Sequence, residues 1–271
     1  MMRKVKIISF ILVLLAILFA CTDATKPSAS DSWETSSLTI AVASNFHFPL
    51  SILIAESPFW SSQSIDLVVG SSGTLFAQLS NGAPFDLFFS ADTQRPIALE
   101  ENELASARQS YARGKLVLFP APQWLVEGLN STNTLDISGK LAIANPQLAP
   151  FGSAAKSYID SLNNSAFVFT QLVLGANVTQ AFQFVDSGNA QVGLLAESVL
   201  INALINLKDP KYSDYFVLPS ERYPAIIQDV VIANSSSRKE HAQLFIDFVR
   251  SQDSQRKLAS LGYLPINEAS Q

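Results

Sequence analysis

Short apolar runs alternate with helix-spaced segments along the chain from residue 38 onward. The runs at residues 38–42, 65–69 and 87–89 have strand length and buried residue types, and each ends in a polar break. Apolar residues recur at helical spacing after the breaks. Strands that alternate with helices predict an α/β fold in which each sheet is mostly parallel and flanked by helices.

The alternation continues toward the C-terminus. The first helix is expected within residues 48–59, with Pro49 in its first turn because proline lacks an N–H group. Further strands are expected at residues 115–119, 141–144, 192–195 and 226–233. Further helices are expected at residues 74–79, 94–101, 152–162, 179–187, 197–204 and 240–250.

The length of this region favours two lobes. About 235 residues lie beyond residue 37, which suits two α/β lobes joined by a hinge. The chain is expected to cross between them near residues 112–119 and near residues 226–233. Lobe one would then comprise residues 38–115 plus 230–271, and lobe two residues 116–229.

The N-terminal segment is typical of an export signal. Three cationic residues precede an apolar run at residues 7–20, which has the length of a secretory signal and is short for a membrane span. Residues 1–20 are therefore interpreted as a signal peptide, and the protein as exported. Residues 21–37 are rich in Ser and Thr without periodicity, which predicts a flexible tether.

The single cysteine lies at the end of this signal. The sequence Leu-Phe-Ala-Cys at residues 18–21 resembles a bacterial lipobox, so Cys21 is predicted to carry a lipid that anchors the protein to a membrane. The phenylalanine at residue 19 departs from the small residue usual in lipoproteins. The alternative is an ordinary cleaved signal with an incidental cysteine.

Composition excludes several classes of protein. The chain is acidic, with a formal charge of −5, and its cations are scattered, which argues against nucleic-acid binding. One Cys and two His make a disulfide scaffold or a His/Cys zinc site improbable, and no bound metal cation is expected. Removal of residues 1–20 takes away three cations, so the mature chain has a formal charge of −8.

Four polar breaks offer hydrogen-bond donors at expected helix starts. They follow strands or precede helices at residues 43–45, 70–73, 149–152 and 177–179, and none contains Lys or Arg. Helix N-termini gathered at one cleft would attract an anion through free N–H groups and helix dipoles. Taken singly, each break is also explained by helix capping alone.

The order of these motifs resembles a known family. The segments "AVASNF", "GSSGTLFAQLSNGAPFDLFFSAD", "AIANPQLAPFGSAAKSYI" and "GANVTQAFQFVDSGNAQVGLLA" follow one another as in the substrate-binding proteins of molybdate ABC transporters. The resemblance covers residues 38 to about 264. It implies a two-lobed periplasmic-binding-protein fold of the type II kind, which captures molybdate or tungstate in its cleft.

The resemblance also implies the ligand-binding residues. The hydroxyl donors of the family fall on Ser44 and Ser72, and an asparagine found in one branch falls on Asn45. Two main-chain N–H donors fall on Phe151 and Val178.

Another branch of the family uses a tyrosine donor where this sequence has Ala196, so no donor is assigned there. The implied partners are a membrane permease and its ATPase, and the protein is expected to be a monomer without a cofactor.

Charge chemistry agrees with an unprotonated dianion as ligand. Such an ion needs many donors and no acceptor, whereas phosphate retains a proton near neutral pH and needs an acceptor. Asp92 is the nearest carboxylate to a strand end and is interpreted as a helix cap. Sulfate is also an unprotonated dianion, so a sulfate-binding protein remains an alternative.

Two alternatives come from other classes. A secreted hydrolase would use Ser44 as nucleophile and His47 as base, with Asp86 or Asp229 as orienter. His47 is otherwise interpreted as a rim residue, and His241 as a solvated helix residue. A surface lipoprotein without a transport role is the other alternative. The preferred reading is a binding protein and not an enzyme.

Overall fold

The structure is a computed structural model that describes residues 37–121, 135–136, 139–162, 167–168 and 171–266. The predicted signal peptide, Cys21 and most of the predicted tether lie outside the described residues. Among the helices that are described, none combines the length and the apolar character needed to cross a membrane.

Helices and strands alternate through the described residues. The α-helices are α1 Ser44–Glu56, α2 Ser72–Ser80, α3 Gln94–Glu101, α4 Pro150–Ser161, α5 Val178–Asp186, α6 Glu197–Leu207, α7 Lys239–Arg250 and α8 Gln252–Ser260. The strands are β1 Leu38–Ala43, β2 Ile65–Gly70, β3 Leu87–Phe89, β4 Ala105–Gly114, β5 Leu116–Phe119, β6 Leu135–Asp136, β7 Lys140–Ala144, β8 Phe167–Val168, β9 Gln171–Gly175, β10 Val192–Ala196, β11 Phe216–Val217, β12 Ile226–Ala233 and β13 Tyr263–Leu264.

Two main sheets organise the molecule. One has six strands in the order β13-β4-β12-β3-β1-β2, and the other has five in the order β11-β5-β10-β7-β9. The strands β1, β2 and β3 are mutually parallel, as are β7, β9 and β10. The remaining pairs of both sheets are antiparallel. The α/β class is confirmed, but the sheets are mixed, because the strands near the crossings run against the parallel ones.

Each sheet has its own apolar core. Phe46 and Phe245 pack on one face of the six-stranded sheet, and Leu75 and Leu99 belong to a second cluster on the same sheet. A separate cluster surrounds the five-stranded sheet and includes Phe182 from α5. We call the six-stranded sheet with its helices lobe one, and the five-stranded sheet with its helices lobe two.

The first crossing between the sheets takes a single residue. β4 ends at Gly114 in lobe one and β5 begins at Leu116 in lobe two, so Lys115 is the link. On the return, β12 belongs to the six-stranded sheet along its whole length. The boundary expected at residue 230 is therefore too late, because the chain has rejoined lobe one by Ile226.

Two smaller expectations are wrong. Helix α1 begins at Ser44, so Pro49 lies inside the helix and beyond its first turn. His241 is not solvated: it is buried at 4% exposure and stacks on Trp60, with ring centroids 5.1 Å apart. His241 is buried because it packs on the ring of Trp60, which comes from a distant segment of the chain.

Candidate ligand-binding site

A small pocket lies where five strands of the two sheets end. Its described walls come from the residues that follow β1, β2, β3, β7 and β9, which are all parallel strands. Carboxyl ends of parallel strands are the usual place for ligands in α/β sheets. The lining residues are Ala43, Ser44, Asn45, Ser71, Ser72, Ala91, Ala149, Pro150, Phe151, Asn177 and Val178.

All five residues implied by the sequence resemblance therefore line one pocket. Ser44, Asn45 and Ser72 come from lobe one, and Phe151 and Val178 come from lobe two. The sequence separation between the first and last of them exceeds 130 residues, and the fold brings them together. Their roles as ligand donors stay a prediction.

The pocket is small and neutral. It has about 200 Å³ of empty space, part of it open to solvent. It is smaller than the neighbouring polar pocket that His47 lines, so it suits only a small ligand. The eleven described lining residues carry no charge. Any charge on a ligand must therefore be compensated by dipoles and hydrogen bonds.

Four helices begin at this pocket, and two of them have no side-chain cap. The N-cap residues of α1 and α4 are Ala43 and Ala149, neither of which can accept a hydrogen bond through its side chain. The first N–H groups of a helix have no partner within the helix. Because the N-cap alanines of α1 and α4 do not bind these N–H groups through a side chain, the groups are available to a ligand.

The other two helices are capped in the ordinary way. The Ser71 hydroxyl accepts from the Thr74 N–H at the start of α2, and the Asn177 side chain accepts from the Gln180 N–H at the start of α5. These caps satisfy one donor each, at the third helical residue of each helix. In α2 the Gly73 N–H group is engaged as well, because it donates to the Leu148 carbonyl oxygen.

Ser72 is placed to donate. Its side chain is buried, and its hydroxyl oxygen accepts a hydrogen bond of 2.9 Å from the Ala91 N–H. A hydroxyl group has one donor in addition to its acceptor sites. Because the Ala91 bond uses an acceptor site and fixes the oxygen, the hydroxyl proton remains available to a ligand.

The side chain of Asn45 is engaged within lobe one. Its side-chain amide donates to the Gln228 Oε1 atom at 3.0 Å and to the Tyr263 hydroxyl at 3.0 Å. Both amide hydrogens are thus committed inside lobe one. Asn45 is the second residue of α1, so its main-chain N–H group lies in the first turn of the helix.

Phe151 and Val178 offer main-chain donors, as implied. Pro150 is the first residue of α4 and has no N–H group, so Phe151 carries the first N–H of that helix. Val178 is the first residue of α5. Both side chains are buried in the core of lobe two, which fixes their backbones at the pocket wall.

The two lobes touch each other around the pocket. The Gly73 N–H donates to the Leu148 carbonyl at 2.8 Å, and the Arg95 guanidinium donates to the Gln147 carbonyl at 3.1 Å. A Cβ atom at residue 73 would lie 2.8 Å from the Leu148 oxygen, so glycine is needed for this approach. The structure is therefore a closed arrangement of the lobes.

The ionisable residues near the cleft lie outside the pocket. Asp92 is not among its lining residues; it accepts from the Arg95 N–H at the start of α3, the role expected of it, and pairs with the Arg95 guanidinium. His47 is exposed and lines a neighbouring polar pocket that shares Ser44 with the ligand pocket. Partial desolvation lowers the pKa of His47 below its ordinary value, which favours the neutral imidazole.

The sequence analysis assigned no individual role to several residues at the site. Ala43 and Ala149 have no side-chain chemistry to single out, and their importance is that they leave N-termini uncapped. The residues that hold Asn45 come from distant segments. One local signal was present. Pro49 lies four residues after Asn45 and lacks the N–H group that would otherwise donate to the Asn45 carbonyl oxygen.

Two α/β lobes that close over a small neutral pocket, with helix N-termini directed into it, define a solute-binding protein. The profile of the bacterial extracellular solute-binding proteins matches residues 38–264. The chain belongs to this family.

Individual relatives agree with this assignment. The chain is 31% identical over 234 residues to the molybdate-binding protein ModA of Azotobacter vinelandii, covering 85% of this chain and 90% of that protein. It is 30% identical over 226 residues to ModA of Rhodobacter capsulatus, covering 83% and 86%. The solved periplasmic molybdate-binding protein of Azotobacter vinelandii superposes with a TM-score of 0.72 at 28% identity, covering 84% of this chain and 98% of that one. The resemblance found in the sequence is confirmed.

Proposed function

We propose that this protein captures molybdate or tungstate outside the cytoplasm and delivers it to an ABC importer. The observation that carries the proposal is the neutral pocket, in which two serines and four helix N-termini from both lobes converge. Its relatives that bear the name molybdate-binding protein support the choice of ion.

The donors are matched to a dianion. Ser44 and Ser72 supply hydroxyl groups, and the main chain at residues 45, 151 and 178 supplies N–H groups. A hydrogen bond to a charged group contributes about 1.5–3 kcal/mol, so five such bonds offset a large desolvation cost. Helix dipoles add favourable potential at the same point.

The same chemistry disfavours a protonated ligand. No carboxylate lines the pocket among the described residues, so a bound hydrogen phosphate would have no acceptor for its proton. Sulfate carries no proton either, and the relatives named molybdate-binding proteins favour the larger ion over it. We assign the pocket to molybdate or tungstate on these grounds.

The hydrolase alternative finds little support in the geometry. Its candidate orienters are committed elsewhere: Asp86 accepts from Arg238 and Ser236, and Asp229 accepts from Arg108 and Ser110. Without an orienting carboxylate, His47 on the exposed side of α1 has no means of activating Ser44. We propose a binding protein without catalytic activity and without a cofactor.

The partners and the location follow from the same proposal. The closed lobes present a ligand-dependent surface to a membrane permease with its cytoplasmic ATPase. The signal at residues 1–20 supports export, and the lipobox supports anchoring through a lipid on Cys21. The protein acts as a monomer in this scheme, because one chain supplies every donor of the pocket.

A thermal-melt screen of the mature chain tests the proposal. A ligand that binds only the folded state raises the free energy of unfolding by about 4 kcal/mol at a thousand times its Kd. Molybdate and tungstate should raise the melting temperature, and phosphate should not. An equal or larger rise with sulfate would reassign the pocket, and no rise with any oxyanion would refute it.

A further inference from the structure

The carbonyl oxygen of Asn45 lacks the usual donor from its own helix. In an α-helix the carbonyl of one residue accepts from the N–H group four residues later, and here that residue is Pro49. Asn45 is buried at 3% exposure, so water cannot replace the missing donor. A buried carbonyl without a partner is unfavourable, and another group must satisfy it.

Two hydroxyl groups do so, one from each lobe. The Tyr263 hydroxyl donates to the Asn45 oxygen at 2.8 Å, and the Ser198 hydroxyl donates to it at 3.0 Å. Tyr263 lies on β13 of lobe one, whereas Ser198 is the second residue of α6 in lobe two. A carbonyl has two lone pairs, so both bonds can form together.

The bond from Tyr263 is internal to lobe one. The Tyr263 hydroxyl receives a hydrogen bond from the Asn45 amide, and the same amide donates to Gln228, which also accepts from Tyr111. Burial raises the pKa of Tyr263 well above its ordinary value, so the hydroxyl keeps its proton. The Tyr263 hydroxyl also lies 3.4 Å from the Ser198 hydroxyl oxygen, but both of its hydrogen bonds with Asn45 are made within lobe one.

The bond from Ser198 joins lobe two to lobe one. Its approach depends on Gly262, where a Cβ atom would lie 2.7 Å from the Ser198 nitrogen. If lobe two moves away, Tyr263 still satisfies the Asn45 carbonyl. The contact can therefore break and form again while the buried Asn45 carbonyl keeps a hydrogen-bond partner.

We infer that Ser198 is a closure latch, a positioning residue that retains the ion without touching it. The inference rests on the proposed function. When the lobes close, Ser198 donates to the carbonyl of Asn45, the residue beside Ser44 in the first turn of α1. The latch thus ties lobe two to the helix start that faces the ligand, and it slows release of the ion.

Release of radiolabelled molybdate from the mature chain tests the latch. Ser198→Ala should speed release and weaken binding by about two- to tenfold, the effect of one hydrogen bond, with the association rate and the ligand-free melting temperature unchanged. Ser161→Ala is the matched control, because that hydroxyl donates to the Tyr158 carbonyl within lobe two. It should release molybdate at the wild-type rate.

A second variant tests the chemical origin of the latch. Pro49→Ala restores an N–H group that competes for the Asn45 carbonyl, so the effect of Ser198→Ala should shrink in that background. If Ser198→Ala and wild type release molybdate at equal rates, the latch is refuted and the proposed function is unaffected. If the wild type binds no molybdate, the proposed function fails and the latch falls with it.

Discussion

Two adjacent serines at the end of β2 have different tasks. The Ser71 hydroxyl accepts from the Thr74 N–H and caps α2, whereas the Ser72 hydroxyl accepts from the Ala91 N–H and keeps its proton for a ligand. The sequence motif GSSG predicts a polar helix start but does not by itself separate these roles. The resemblance to a known family chose the second serine, and the hydrogen bonds supply a physical reason for that choice.

Ser72→Ala and Ser71→Ala should therefore fail in different ways. Loss of the Ser72 donor is expected to weaken molybdate binding by about 1.5–3 kcal/mol, since the bond is to a charged ion. Loss of the Ser71 cap is expected to lower the free energy of unfolding by about 1 kcal/mol. Calorimetric titration and urea unfolding of both variants check this. Equal effects of the two variants on affinity would contradict the division of roles.

Buried His241 makes stability depend on pH. Burial lowers the pKa of His241 below the ordinary 6.5, so the unfolded chain binds a proton more readily than the folded one. The stabilisation is present above pH 6.5 and is lost as the pH falls from there toward the folded-state pKa. His241→Phe retains a ring beside Trp60 and should lose part of the decline between pH 7.5 and 5.5 in urea unfolding. An identical decline in both proteins would contradict this account.

At the scale of elements, four of the five strands that lead into the pocket were predictable, and the fifth, β9, was missed. β1, β2, β3 and β7 are short, apolar and followed by polar breaks, and each was expected close to its observed bounds. β4 was missed, because ASARQSYARG at residues 105–114 has little apolar character. It is held by pairing with β12 and β13 on its two sides. Local sequence does not contain that information, because strand stability depends on distant neighbours.

The packing of α4 against β7 positions one of the main-chain donors. A Cβ atom at residue 152 would lie 2.2 Å from the Ala144 carbonyl oxygen, and all of its nearest neighbours are backbone atoms that cannot rotate away. Gly152→Ala should shift α4, move the Phe151 N–H group, and lower the free energy of unfolding by about 1–3 kcal/mol. Urea unfolding and molybdate titration measure the two effects.

A matched change on the exposed face of α4 serves as the control. Lys156 is exposed and pairs only with Asp160 on the same helix among the described residues, so Lys156→Ala should change stability by less than about 1 kcal/mol. Its molybdate affinity should equal that of the wild type. If Gly152→Ala behaves like Lys156→Ala, close helix packing does not position this donor.

At the scale of the whole molecule, net charge and ligand charge have the same sign. The mature chain carries a formal charge of −8, yet the proposed ligand is a dianion. Long-range attraction therefore does not explain capture, and the pocket must select its ion through local donors.

The sequence predicts the two lobes and the donor-rich strand ends. It does not predict the closed contacts, such as Ser198 with Asn45, which depend on how the lobes meet.

Titration calorimetry of the mature chain with four oxyanions tests the central claim most directly. The claim is that a neutral pocket recognises an unprotonated tetrahedral dianion by its size and by N–H and O–H donors alone. Molybdate and tungstate should bind tightly, and sulfate and phosphate weakly, at the same pH and ionic strength. Tight binding of sulfate with weak binding of molybdate would contradict the claim, although the assignment of the fold would be unaffected.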